Sequence, residues 1–144
     1  MSYTCLFYHI LFSIKDRQKP LEEGQMKQVR EYMAGIVRNL KAKLYVCNGP
    51  LDHIHLLVSL YPELSVSDFV RTIKTNSSKW FHETFGNEFS WQDGYAAFSV
   101  SYSGIKQVSE YINKQQEHHR KITFEEELTR FLQKHNLKYE QKFI

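Results

Sequence analysis

The chain has 144 residues, which suits one compact domain with a hydrophobic core rather than several domains. Its formal net charge of +3 permits a nucleic-acid partner without demanding one. Its two cysteines, Cys5 and Cys47, lie far apart without metal-type spacing and both fall in expected strands, so they read as small core residues of a reducing cytosol.

The opening run MSYTCLFYHILFSIK is apolar but interrupted by His9. It has no basic lead-in and falls well short of the roughly 20 residues of a membrane span, so neither a signal peptide nor a membrane helix is expected. With no repeat, linker or low-complexity segment, residues 1–144 read as one cytoplasmic domain.

Residues 3–14 are rich in β-branched and aromatic types and predict a first strand. A basic loop, KDRQKP, follows. Between Leu21 and Leu40 the apolar residues Met26, Val29, Met33 and Ile36 recur at helical spacing. AKLYVCNGPLDHIHLLVSL predicts two strands joined by a turn at Asn48-Gly49-Pro50. Ser65 or Ser67 can cap a second helix with Val66, Phe69, Val70, Ile73, Trp80 and Phe81 inward. Arg71, Lys74 and Ser78 fall on its solvated face, beside Thr75 and Lys79.

GYAAFSVSY predicts a fourth strand, and Gly104 to about His119 a third helix with Ile105, Val108 and Ile112 facing the core. Thr123-x-x-Glu126 is a capping-box signature opening a last short helix, with Phe124, Leu128, Phe131 and Leu132 inward. The order β-α-β-β-α-β-α-α predicts an α+β fold, an antiparallel sheet with helices packed on it.

The stretch DHIHLLVSL carries the chemistry. Strand side chains alternate, so His53 and His55 share a face with Leu57, while Ile54, Leu56 and Val58 point the other way. Two neutral imidazoles side by side on a rigid strand make a metal platform, or two half-buried histidines with hydrogen-bond partners. On the third helix Tyr111 and Gln115 are four residues apart, neighbours on its surface, on a flank that His118 shares. A tyrosine and an amide could therefore meet the histidine strand, or simply edge the core.

Taken together, five segments in order resemble the HUH endonucleases, and most closely the single-tyrosine transposases of the insertion sequence 200/605 family. They are YHILFSIKDRQKP, GPLDHIHLLVSL, KTNSSKW, WQDGYAAFSVS and YINKQQEHH. The resemblance implies a ferredoxin-like (RRM-like) HUH topology and cleavage and rejoining of single-stranded DNA through a 5′-phosphotyrosine. It makes Tyr111 the nucleophile and His53, His55 and Gln115 the ligands of Mg²⁺ or Mn²⁺. It implies hairpin ends of an insertion sequence as substrate and a homodimer as the working unit, with the tyrosine helix docked in its own or the partner subunit.

On that template Lys15, Arg17, Lys19, Arg71, Lys74, Lys79 and His118 are the expected DNA contacts, and Trp91 and Tyr95 flank Gly94 as base-stacking or core aromatics. His9, on the first strand, reads as a packed core residue in preference to a partner standing behind the histidine pair. A histidine-triad nucleotide enzyme would want a third alternating histidine where Leu57 stands. Replication initiators commonly carry lysine at the place of Gln115, and relaxases place the tyrosine before the histidines. The alternative from another class is a domesticated, non-mobile relative that binds DNA or RNA without cutting it.

Overall fold

The computed structural model describes residues 1–115 and 122–140. It contains β1 (Phe7–Ser13), α1 (Glu23–Asn39), β2 (Lys43–Asn48), β3 (His53–Ser59), α2 (Val66–Phe85), β4 (Ala96–Val100), a 3₁₀ turn (Tyr102–Gly104), α3 (Ile105–Asn113) and α4 (Phe124–Lys134). The four strands form one antiparallel sheet in the order β2-β3-β1-β4, the expected α+β, ferredoxin-like arrangement.

The central strands β1 and β3 are buried on both faces, and their alternation sorts the side chains into two layers. Ile10, Phe12, Ile54, Leu56 and Val58 meet Met26, Val29 and Met33 of α1 and Phe69, Val70 and Ile73 of α2 in the main core. Each fully buried aliphatic or aromatic side chain there contributes about 1.5–3 kcal/mol. On the opposite face Leu11 and Phe98 meet Phe124 and Leu128, with Phe131 and Leu132 packed alongside. Trp91 belongs to the main core: its ring is edge-on to Phe12 and Phe89, and its Nε1 donates to Ser77 Oγ at 2.9 Å. Tyr95 remains exposed.

The β2–β3 turn depends on Gly49. A Cβ there would meet the backbone oxygen of His53 at 2.5 Å, so the hairpin closes tightly only with glycine. Ser65, rather than Ser67, caps α2, accepting from the Asp68 amide at 3.1 Å. Thr123 and Glu126 form the expected capping box on α4.

Two expected boundaries shift, and one expected face assignment changes. β1 starts at Phe7, because only from there does the chain pair with both β3 and β4; Cys5 is thereby exposed and outside the strand, while Cys47 packs against the main core. α3 ends at Asn113, where Asn48 Nδ2 donates to the carbonyls of Ile112 and Asn113 at 3.1 and 3.2 Å and satisfies its last turn. Lys74 does not lie on a solvated face: it donates to the Gln92 and Gly94 carbonyls and sits over the Phe12 ring, 5.1 Å from its centroid. Partial burial lowers its pKa. No helix among the described residues is long and apolar enough to cross a membrane.

A candidate metal and tyrosine centre

Strand parity puts His9 and Ser13 of β1 and His53 and His55 of β3 on the face covered by α3 and α4. In the register Leu11 stands opposite His55 and Ser13 opposite His53. Both β3 imidazoles are fully buried. Their Nε2 atoms converge on one oxygen of Glu127, in the first turn of α4: His53 Nε2 lies 2.8 Å from Glu127 Oε1, and His55 Nε2 lies 3.1 Å from the same atom. The other carboxylate oxygen, Oε2, accepts a hydrogen bond from the Tyr111 hydroxyl. Tyr111 is 37% exposed, so the phenol runs from this buried cluster out to solvent.

The far sides of both rings are also held. His53 Nδ1 lies 2.7 Å from Asp52 Oδ1, and His55 Nδ1 lies 2.8 Å from His9 Nε2. A carboxylate can only accept from a ring nitrogen, and neutral His53 has one N–H to share between two carboxylates: with that proton on Nδ1 toward Asp52, its Nε2 lone pair faces Glu127. If His55 donates to His9 in the same way, its Nε2 lone pair also faces inward. Two nitrogen lone pairs and a carboxylate oxygen then point at one another. Protons or a shared cation must lie between them.

The residues present fit a divalent cation. The ligand atoms of His53, His55 and Glu127 all lie within 4.8 Å of one another, and the donor set, two imidazoles and one carboxylate, suits first-row divalent ions with open positions for substrate. Burial raises the Glu127 pKa, but hydrogen bonds from His53 and His55 and then from Tyr111 outweigh it, and the group is held well below the usual carboxylate range. Burial and the neighbouring His55 lower His9 to about 3, so His9 is neutral at physiological pH.

Of the site residues expected from sequence, the structure brings His53, His55 and Tyr111 together within one chain. Gln115 is buried, but it sits in the turn after α3 rather than on the same helix as Tyr111, its backbone N–H donating to the Ile112 carbonyl at 3.1 Å. His9 is packed, as expected, and it also partners His55, the second reading its sequence position allowed. Glu127 was outside the expected set. Its signal was legible: it lies three residues after Phe124 and four before Phe131, on the inward stripe of α4, where a charged residue needs a partner.

Among the expected DNA contacts, Lys15, Lys19 and Lys79 are exposed and Arg71 pairs with Asp68 at 2.7 Å on an open surface. Arg17 is engaged: it pairs with Glu125 of α4 and lies over the Phe124 ring. His118 falls outside the described residues. A cavity of about 350 Å³ opens beside Tyr111 between α3 and α4, with His9, Glu127, Phe131 and the exposed Arg130 and Lys134 in its lining.

The chain has known relatives. Residues 2–115 match the family model described as "Transposase IS200 like". The transposase of insertion sequence element IS200 from Salmonella typhimurium is 28% identical over 117 residues, 76% of each chain. The ISDra2 transposase TnpA of Deinococcus radiodurans is 27% identical over 119 residues, covering 76% of this chain and 84% of the relative.

Two solved structures share the fold. A Deinococcus radiodurans crystal structure assigned to transposases has a TM-score of 0.64 at 22% identity, covering 80% of this chain and 95% of its own. A REP-associated tyrosine transposase bound to a REP hairpin has a TM-score of 0.62 at 17% identity, covering 100% of this chain and 92% of its own. With the family model spanning well over half its length, the chain belongs to the IS200-like transposases.

Proposed function

We propose that the protein cleaves and rejoins single-stranded DNA at the ends of an insertion sequence through a covalent bond between Tyr111 and a 5′ phosphate. The observation that carries this reading is that the Tyr111 hydroxyl and the His53–His55 pair meet on one carboxylate in a single chain. A phenol that reaches solvent can meet a strand of DNA, while the imidazoles behind it stay sheltered from water.

A tyrosine with an ordinary pKa near 10 is a weak nucleophile at neutral pH, so the site must favour the charge that develops on attack. Mg²⁺ or Mn²⁺ held by His53 and His55 would supply Lewis-acid polarisation of the scissile phosphate. The resemblance adds Gln115 as a ligand; its burial just beyond α3 is compatible with that role. Asp52 and His9 keep the two imidazoles in orientation.

In the forward step the phenol gives up its proton and its oxygen bonds to phosphorus. The bond from phosphorus to the 3′ oxygen breaks, and that oxygen takes up a proton to leave as a hydroxyl. Attack by another 3′ hydroxyl reverses these changes and joins a new pair of ends. One phosphodiester-energy bond is kept throughout, so no nucleotide cofactor is needed.

The cavity beside Tyr111 is where the scissile segment would enter. Lys15, Lys19, Arg71 and Lys79 are the cations proposed to track the backbone, with Arg17, Lys74 and His118 as further contacts. The hairpin on the REP-associated relative supports a hairpin at the substrate's end. The working unit is proposed to be a cytoplasmic homodimer, with each Tyr111 acting in its own subunit as the single-chain geometry favours.

The test is an SDS-resistant adduct between the purified protein and single-stranded DNA from its element's ends, with Mg²⁺ or Mn²⁺ present. Tyr111→Phe should abolish the adduct and leave DNA binding within about twofold. Adduct formation by the Phe variant would remove Tyr111 from the reaction. Wild-type binding without any adduct would favour the non-catalytic relative.

A further inference from the structure

The carboxylate of Glu127 is engaged through both of its oxygens. Oε1 faces both imidazole Nε2 atoms, and Oε2 accepts from the nucleophile candidate Tyr111. The side chain is 3% exposed, so this carboxylate has left water and is compensated by these groups. It comes from α4, which lies beyond residues 2–115 covered by the family match.

We propose that Glu127 supplies the third buried protein donor of the metal site through Oε1 and, through Oε2, positions the Tyr111 hydroxyl. A single carboxylate thereby ties the nucleophile to the cation. The inference rests on reading Tyr111 as the nucleophile and the histidine pair as the metal platform. It differs from the set implied by resemblance, in which the third donor is the amide of Gln115.

Two physical arguments favour the carboxylate. With His53 donating to Asp52 and His55 to His9, both Nε2 lone pairs face Glu127 Oε1, and a cation among the three atoms turns mutual repulsion into coordination. A carboxylate also offsets one unit of a divalent charge in a site closed to solvent, where a neutral amide offsets none. Arg17, paired with Glu125 and lying over Phe124, holds the same turn of α4 against β1.

The experiment is Mn²⁺ titration by calorimetry on wild type, Glu127→Gln, Glu127→Asp and Gln115→Ala, each with a urea unfolding curve as the check on folding. Glu127→Gln should weaken Mn²⁺ at least about tenfold, and Glu127→Asp should recover part of the loss. At saturating Mn²⁺, Glu127→Gln should still form the Tyr111 adduct more slowly, with single-strand affinity in Ca²⁺ unchanged. A loss of Mn²⁺ in Gln115→Ala as well would add a donor and leave the assignment standing.

Wild-type Mn²⁺ affinity in Glu127→Gln, or no Mn²⁺ binding by the wild type, would overturn the assignment. A wild-type adduct rate in Glu127→Gln at saturating Mn²⁺ would overturn the positioning role. An adduct in Tyr111→Phe would instead defeat the assignment of the nucleophile and leave the Mn²⁺ result to be judged alone.

Discussion

On one face of the sheet, Ile10, Phe12, Ile54, Leu56 and Val58 meet α1 and α2 in a continuous apolar layer. On the other, His9, Ser13, His53 and His55 meet α3 and α4 across a much smaller apolar cluster. The two sets interleave along the same strands: His53 and Ile54 are chain neighbours with opposite surroundings. Strand alternation therefore separates stability from chemistry by the thickness of one sheet. The histidine face can hold polar groups because the other face supplies most of the apolar burial.

That division breaks most visibly with a large core side chain. Phe69→Ala on the apolar face should cost about 3–5 kcal/mol of stability, read from urea unfolding, while the protein that remains folded keeps its Mn²⁺ affinity. His55→Ala should do the reverse, losing Mn²⁺ binding with a much smaller shift in the unfolding midpoint. If Phe69→Ala lowered Mn²⁺ affinity as strongly as His55→Ala, the two faces would be coupled and the division would fail.

The apolar face was the more legible in the sequence. Met26, Val29, Met33 and Ile36 on α1, and Phe69, Val70 and Ile73 on α2, repeat at helical spacing, and that periodicity alone orients both helices. The histidine face gave up His53, His55 and Tyr111 because an alternating imidazole pair and a downstream tyrosine form a pattern. It hid the rest for different reasons. His9 meets His55 only through the register that sets Leu11 opposite His55, and sequence does not give register.

Glu127 stands in the run Glu125-Glu126-Glu127, where acidic residues suit the start of any helix. That ordinary explanation masks the one member of the run that turns inward. The end of α3 at Asn113 depends on a side chain of β2, Asn48, and so on tertiary contact rather than local propensity.

Acid should separate the faces with a smaller effect. His9 is held at about 3 in the folded chain, against an ordinary histidine value near 6.5. Between those values the unfolded chain binds a proton that the folded chain does not, so stability falls as pH falls. From pH 7 to pH 5 the metal-free protein should lose roughly 2 kcal/mol through this group. Glu127, whose folded pKa is depressed, keeps its contribution through this window and loses it only at more acid pH. Urea midpoints at pH 7 and pH 5 should converge in His9→Gln relative to wild type. An unchanged gap would mean that His9 is not the group responsible.

The smallest expected effect concerns the helix that carries Glu127. Thr123 Oγ1 accepts from the Glu126 amide at 3.1 Å, and the Glu126 side chain reaches back to the Thr123 amide. Thr123→Ala should cost about 1 kcal/mol. The ion pair of Arg17 with Glu125 is partly exposed and contributes little by itself. The apolar anchor of this turn, Phe124, contacts the His53 ring. A loosened cap therefore frays the turn that sets Glu127 against the histidines, while α1, α2 and the main core are untouched. The variant should bind single-stranded DNA as the wild type does, bind Mn²⁺ severalfold more weakly, and form the adduct correspondingly more slowly. Thr123→Ser, which keeps the acceptor, should restore the stability, the Mn²⁺ affinity and the adduct rate. Weaker Mn²⁺ binding in the alanine variant with rescue by serine would show that the start of α4 belongs to the centre, whereas equal Mn²⁺ affinity in all three proteins would confine the centre to the strand and α3.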